Sequence, residues 1–91
     1  MNEKTKKMYV LEMVLYPYGT THIIIATNDR KKAEKLCAEK TDVSKQKYVT
    51  IENTKKVTLN WLENLYDAGG TIFNEKGKEM EWKEVKKLYE D

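Results

Sequence analysis

The stretch MYVLEMVLYPYGTTHIIIAT, residues 8–27, decides the fold. It is the longest apolar run in the chain, and it is folded about a turn signal, Pro17-Tyr18-Gly19. From Tyr9 the residues alternate. Tyr9, Leu11, Met13 and Leu15 point one way, and Val10, Glu12, Val14 and Tyr16 the other. Pro17 presets φ at the first central turn position, and Gly19 can take the left-handed position that closes a short hairpin loop. If Tyr16 pairs with Thr20, Met13 faces Ile23, Leu11 faces Ile25 and Glu12 faces Ile24. The run Ile23-Ile24-Ile25 loads both faces of the second strand, so that strand is expected to be central and covered on both sides, at least in part.

The rest of the chain needs this sheet to pack on. Asn28 (or Thr27) can cap a helix over Asp29–Lys40, with Asp29 suited to the positive end of its dipole. Ala33, Leu36 and Cys37 form a narrow apolar stripe on that helix. After a polar connector, Tyr48-Val49-Thr50-Ile51-Glu52 alternates again and reads as a third strand, to lie beside either strand of the hairpin. Thr58 can cap a second helix, with Val57 and Leu62 at the spacing of a hydrophobic staple and Trp61, Leu62, Leu65 and Tyr66 on one broad face. Gly69-Gly70 stops that helix. Thr71-Ile72-Phe73 is a short extended piece and Asn74-Glu75-Lys76-Gly77 a turn. A closing helix from Glu81 to Glu90 presents Trp82, Val85, Leu88 and Tyr89 at helical spacing.

The expected fold is α+β. An antiparallel sheet is led by a β-hairpin, in the order β-β-α-β followed by α, a short β-turn-β and α. The chain reads as a single domain: residues 1–7 frayed, 8–54 a ββαβ unit, and 57–91 a helix-turn-helix-like C-terminal unit. Ninety-one residues leave no material for a second core. Apolar residues at 40% and charged residues at 35% suit a globular domain with a solvated rim. No apolar run reaches the ~20 residues of a membrane span, and no apolar signal region follows the polar start, so a cytoplasmic protein without membrane contact is expected. The lone Cys37 forbids an intrachain disulfide, and one Cys with one His makes no metal-ligand cluster, so neither metal nor cofactor is expected.

The basic residues are nearly all lysine, Arg30 being the only arginine, which together with frequent Asn, Ile, Glu and Tyr points to AT-rich coding. Charge is uneven. Residues 1–56 carry +5 and residues 57–91 carry −3, which together give the net +2. That layout allows a basic and an acidic face, or simply a mixed solvated rim.

The run from Tyr9-Val-Leu-Glu through a Gly-bearing turn, Ile23-Ile-Ile-Ala-Thr, the helix entry Asn-Asp-Arg-Lys-Lys-Ala33-Glu34-Lys35-Leu36 and Tyr48-Val-Thr-Ile-Glu52 resembles a class of small uncharacterised ββαβ proteins of bacteria and their phages. The resemblance covers residues 8–54 and carries no catalytic motif. It implies a phage- or prophage-encoded accessory protein, acting in the host cytoplasm.

His22 and Glu12 are the one plausible acid–base pair, on diagonal positions of one sheet face in the register above. No nucleophile, oxyanion loop or second carboxylate is recognisable beside them, so a structural or solvent-facing role is the competing reading and no enzyme is expected. Cys37 reads as a small core residue and lacks an activating base. Gly69-Gly70 follows a helix and lacks the phosphate-loop spacing. Trp61 and Trp82 read as core. Tyr16, Tyr18 and Gly19 at the hairpin tip do not, because an aromatic side chain at a turn apex has little of its own domain to pack on, and tyrosine is a favoured interface anchor.

The expected function is therefore a small protein-interaction module that binds, and in one version inhibits, a host or phage protein. It would act as a monomer or weak homodimer. A net positive charge argues against inhibition by DNA mimicry. The alternative is weak sequence-nonspecific nucleic-acid binding through a lysine-rich face, for which Arg30, Lys31, Lys32, Lys35 and Lys47 are the candidates.

Overall fold

The hairpin forms as the alternation requires: β1 spans Thr5–Leu15 and β2 spans Gly19–Ile25 in the computed structural model, which describes residues 4–90. Its register differs from the expected one. Leu15 pairs with Gly19, Glu12 with His22, Leu11 with Ile23 and Val10 with Ile24. Tyr16 leaves the ladder, its N–H donating to the Gln46 carbonyl at 3.1 Å, and Gly19 enters the strand with φ +120°, a conformation that favours glycine. The Tyr16–Pro17 peptide is cis. Each expected pairing moves by two residues, so every side chain keeps its expected face. The expected fraying is corrected for residues 5–7, which are strand, because they pair with Thr58, Val57 and Lys56; residues 1–3 lie outside the described residues.

Helix α1 spans Arg30–Lys40. Its cap is Asp29 rather than Asn28 or Thr27: the Asp29 carboxylate accepts the Lys31 N–H at 2.9 Å, while the Thr27 hydroxyl accepts the Asp29 N–H at 3.1 Å. Ala33 and Leu36 are buried against Tyr9, Leu11, Ile23, Ile25 and Val49, which form the core on this face of the sheet.

After a 3-10 turn at Val43–Lys45, β3 runs from Lys47 to Thr58, well past the expected end at Glu52. It pairs antiparallel with β1, and a bulge interrupts the pairing: Leu11 opposes Ile51, Val10 opposes Asn53, and Glu52 is the extra residue. Val49 therefore serves the α1 face while Val57, an even number of residues later, serves the opposite one.

Helix α2 spans Leu59–Asp67, capped as expected by the Thr58 hydroxyl, which accepts the Trp61 N–H at 3.1 Å. Val57 and Leu62 meet in one cluster, as a staple should. Gly69, at φ +90°, turns the chain out of the helix. Strand β4, Thr71–Phe73, then pairs parallel to β2, so the sheet is mixed, in the order β3-β1-β2-β4. The closing helix α3 is shorter than expected, Trp82–Lys87, and tightens into a last turn through Leu88 and Tyr89. Met8, Val10, Ile24, Val57 and Ile72 of the sheet meet Leu62, Met80, Val85 and Tyr89 in the second core. No helix among the described residues is long and apolar enough to cross a membrane.

Tyr89 locks the C-terminal unit to the sheet. Its buried hydroxyl donates to the Val57 carbonyl at 2.9 Å, and burial pushes the phenol up to about 12. An unfolded tyrosine titrates near 10, so below pH 10 both states keep the proton. Between pH 10 and 12 the unfolded chain loses it first, and stability falls as the pH rises through that window. Tyr89→Phe is expected to cost about 1 kcal/mol at neutral pH and to flatten that alkaline decline. Urea denaturation of both proteins from pH 8 to 12 measures it; parallel declines would remove Tyr89 as the source.

Candidate functional site

The C-terminal unit covers only part of its sheet face. Glu12, Val14, His22, Tyr48, Thr50 and Glu52 lie beyond it on the same face, half-buried or exposed. Glu12 and His22 are directly opposite, not diagonal, in the observed register. His22 is closest to a third residue: its Nε2 lies 3.1 Å from a carboxylate oxygen of Glu52. Glu52 is on β3 and His22 on β2, on either side of β1, so their side chains converge over that strand. One donor atom each from Glu12, His22 and Glu52 falls within 4.8 Å of the others.

One sequence-based expectation is corrected here: a second carboxylate, that of Glu52, does stand beside the Glu12–His22 pair. The bulge is the physical reason, since it turns Glu52 and Asn53 toward the same face and aims the Glu52 carboxylate over β1. The residues flank an open groove lined by Val10, His22, Glu52, Asn53, Lys55, Trp61 and Leu65. The Lys55 ammonium sits over the Trp61 ring, 4.7 Å from its centre. Trp61 and Trp82 are partly buried against the second core, as expected.

The hairpin tip gathers a different set. Tyr16 is 59% exposed and Tyr18 84% exposed. Tyr48, on β3 opposite Val14, turns an edge toward Tyr16, with ring centres 6.4 Å apart and planes at 73°. Val43, 67% exposed, belongs to the 3-10 turn whose following residue, Gln46, accepts the Tyr16 N–H. Among the described residues, four of the five exposed large apolar or aromatic side chains thus belong to this one end, Tyr66 on α2 being the fifth. Tyr48 and Val43 were not singled out from sequence as members of this group. A Val at an otherwise polar connector, next to an alternating strand that begins with Tyr, was the signal present.

Of the lysine-rich candidates, Arg30, Lys31, Lys32 and Lys35 share α1 and Lys47 lies apart. Arg30 pairs with Glu34 at 3.0 Å and Lys32 with Glu75 at 2.8 Å. The hydrogen bond that Lys32 donates to the Glu75 carboxylate holds the ammonium above its ordinary value and, reciprocally, lowers the Glu75 carboxyl. Lys31 and Lys35 are exposed on α1. Lys47 is half-buried at the start of β3, its backbone paired with that of Asp42 just past the far end of α1, about 15 Å of helix away from Arg30. Cys37 is half-buried, and burial, with Glu34 nearby, pushes its thiol up, away from a reactive thiolate.

Comparison of the chain with protein-family models, with curated proteins and with solved structures finds no significant match.

Proposed function

We propose that this chain is a small non-enzymatic protein-binding module whose contact end is the hairpin tip: Tyr16, Tyr18 and Gly19, extended by Tyr48 and Val43. The observation that supports it is the gathering of four exposed large apolar or aromatic residues at one end of the molecule. Scattered single residues of this kind are ordinary on a surface; a group of them rich in tyrosine is the composition of an interface core. The partner is a host or phage protein, in keeping with the resemblance of residues 8–54 to small phage and bacterial ββαβ proteins, and the module modulates or inhibits it by occlusion. The outer edge of β3 is blunted by Lys47, Lys55, Lys56 and the Glu52 bulge, which disfavours strand addition by a second copy and leaves the aromatic tip as the docking element.

Affinity capture from lysate with the parent, with Tyr16→Ala/Tyr18→Ala, and with Tyr66→Ala as an exposed aromatic control on α2 tests this. The tip variant is expected to lose a captured protein at least about 30-fold while its thermal midpoint holds, because hot-spot truncations cost about 2 kcal/mol or more. Equal loss with Tyr66→Ala, or none with the tip variant, would overturn it. A nucleic-acid ligand predicts the opposite pattern: a salt-sensitive gel shift weakened by Lys31→Glu/Lys35→Glu and indifferent to the tyrosines.

A further inference from the structure

We propose a divalent transition-metal site of the zinc class on the open sheet face, formed by Glu12, His22 and Glu52. It goes beyond the docking reading and rests on different residues. The three donors come from three adjacent strands, β1, β2 and β3, and lie within 4.8 Å of one another. Ligands around a tetrahedral ion at zinc–nitrogen and zinc–oxygen bond lengths stand about 3.3 Å apart. His22 Nε2 and the Glu52 carboxylate, at 3.1 Å, already have that separation. The remaining closure requires only torsions of glutamate side chains.

The charge layout around these residues is in keeping with this. Two carboxylates that converge over one strand repel each other unless a cation stands between them. Among the described residues neither is neutralised by a lysine or arginine at ion-pair distance, in a chain with 17 such residues. Lys55, the basic residue lining the same groove, has its ammonium on the Trp61 ring. What faces both carboxylates is the imidazole of His22, and an imidazole nitrogen with two carboxylate oxygens is a donor set for a zinc-class ion. It is a poor one for magnesium or calcium, which take oxygen. Three protein donors leave one position open for water or for a ligand in the groove beside Trp61 and Leu65.

The test is titration of Zn2+ into the full chain, carried in a Cys37→Ser background so that the thiol contributes nothing, with Co2+ absorption as the spectroscopic readout. One ion per chain is expected, with Mg2+ failing to compete and with affinity falling as the pH is lowered, because protons and metal compete for the imidazole. Loss of a partner that merely supports a metal ligand costs about 10–100-fold in affinity, so His22→Ala is expected to weaken binding at least about 100-fold, and Glu12→Gln and Glu52→Gln at least about 10-fold each. All three residues are on an open surface, so the variants should keep the parent's unfolding midpoint without metal, which the same samples report. Binding unchanged in His22→Ala, or no binding by the parent at millimolar Zn2+, would overturn the proposal.

Discussion

Leu36→Ala is expected to lower the stability of this domain by about 3–4 kcal/mol, a large part of the roughly 5–14 kcal/mol available to a chain of this length. Helix α1 holds to the sheet by very little. Of its eleven residues only Ala33 and Leu36 are buried, and most of the others are charged. A helix of this length has marginal stability alone, so its tertiary anchor decides whether it forms. Leu36 is 1% exposed and packs with Tyr9, Leu11, Ile23, Ile25 and Val49. The 74–77 turn closes over it from the other side: a Cβ placed on Gly77 would stand 3.3 Å from a Leu36 methyl. With the sheet below and a turn above, the hole left by truncation is bounded on two sides by backbone that cannot readily close in, which places the cost above the low end for Leu→Ala. Cys37→Ala, next to it and half-buried, is expected to cost about 1 kcal/mol. Urea denaturation of the three proteins measures both, and a Leu36→Ala loss below 1.5 kcal/mol, roughly the low end of the penalty for burying a leucine, would show that α1 is anchored elsewhere.

What was legible in the sequence follows from how far local rules reach. Period-two alternation in residues 8–27 and the Pro-x-Gly signal carried the hairpin, and a two-residue slip in its register left every face assignment intact. The Thr58 cap and the Val57–Leu62 staple were legible because each is settled within a single helical turn. The third strand was read too short for a specific reason. Val49, Ile51 and Val57 share parity, so in an unbroken strand they would share a face, yet Val57 belongs to the staple on the other side. Ending the strand at Glu52 removes that conflict; the protein instead inserts a bulge there and continues. The parallel pairing of β4 was not legible, because three residues carry no periodicity to speak of and parallel partners are chosen by long-range packing.

The candidate site divides in the same way. Tyr16 and Tyr18 could be singled out, since an aromatic residue beside a turn lacks a core by local reasoning alone. The Glu12–His22 pairing was foreseen one step off, on the correct face. Glu52 was out of reach: its position depends on β3 lying beside β1 and on the bulge that re-aims its side chain, and both are tertiary facts. The pairing of Lys32 was equally hidden, because Glu75, which accepts its hydrogen bond, lies 43 residues away in sequence.

Ile24→Ala is expected to cost about 3–4 kcal/mol and, more tellingly, to release one part of the molecule before the rest. Ile24 is fully buried, with Val10 on β1 as one lateral neighbour and Ile72 on β4 as the other. These three side chains make the floor on which Leu62, Met80 and Val85 rest. Removing three carbons loses about 2.4 kcal/mol of transfer free energy, and a cavity under two helices adds the remainder. Strand β4 has only Thr71, Ile72 and Phe73 with which to hold the sheet, so weakening the Ile24–Ile72 contact weakens the whole parallel pairing. The β1–β3 ladder runs eleven pairs along the other side of the hairpin and does not depend on it. Hydrogen exchange separates these outcomes. The amides of Ala26 and Met80, bonded to the Phe73 and Ile72 carbonyls at 2.8 Å, are expected to lose protection in Ile24→Ala well before those of Leu11 and Val49. A uniform loss across both sets would mean instead that the C-terminal unit and the ββαβ unit open as one, and that the sheet transmits the defect to its far edge.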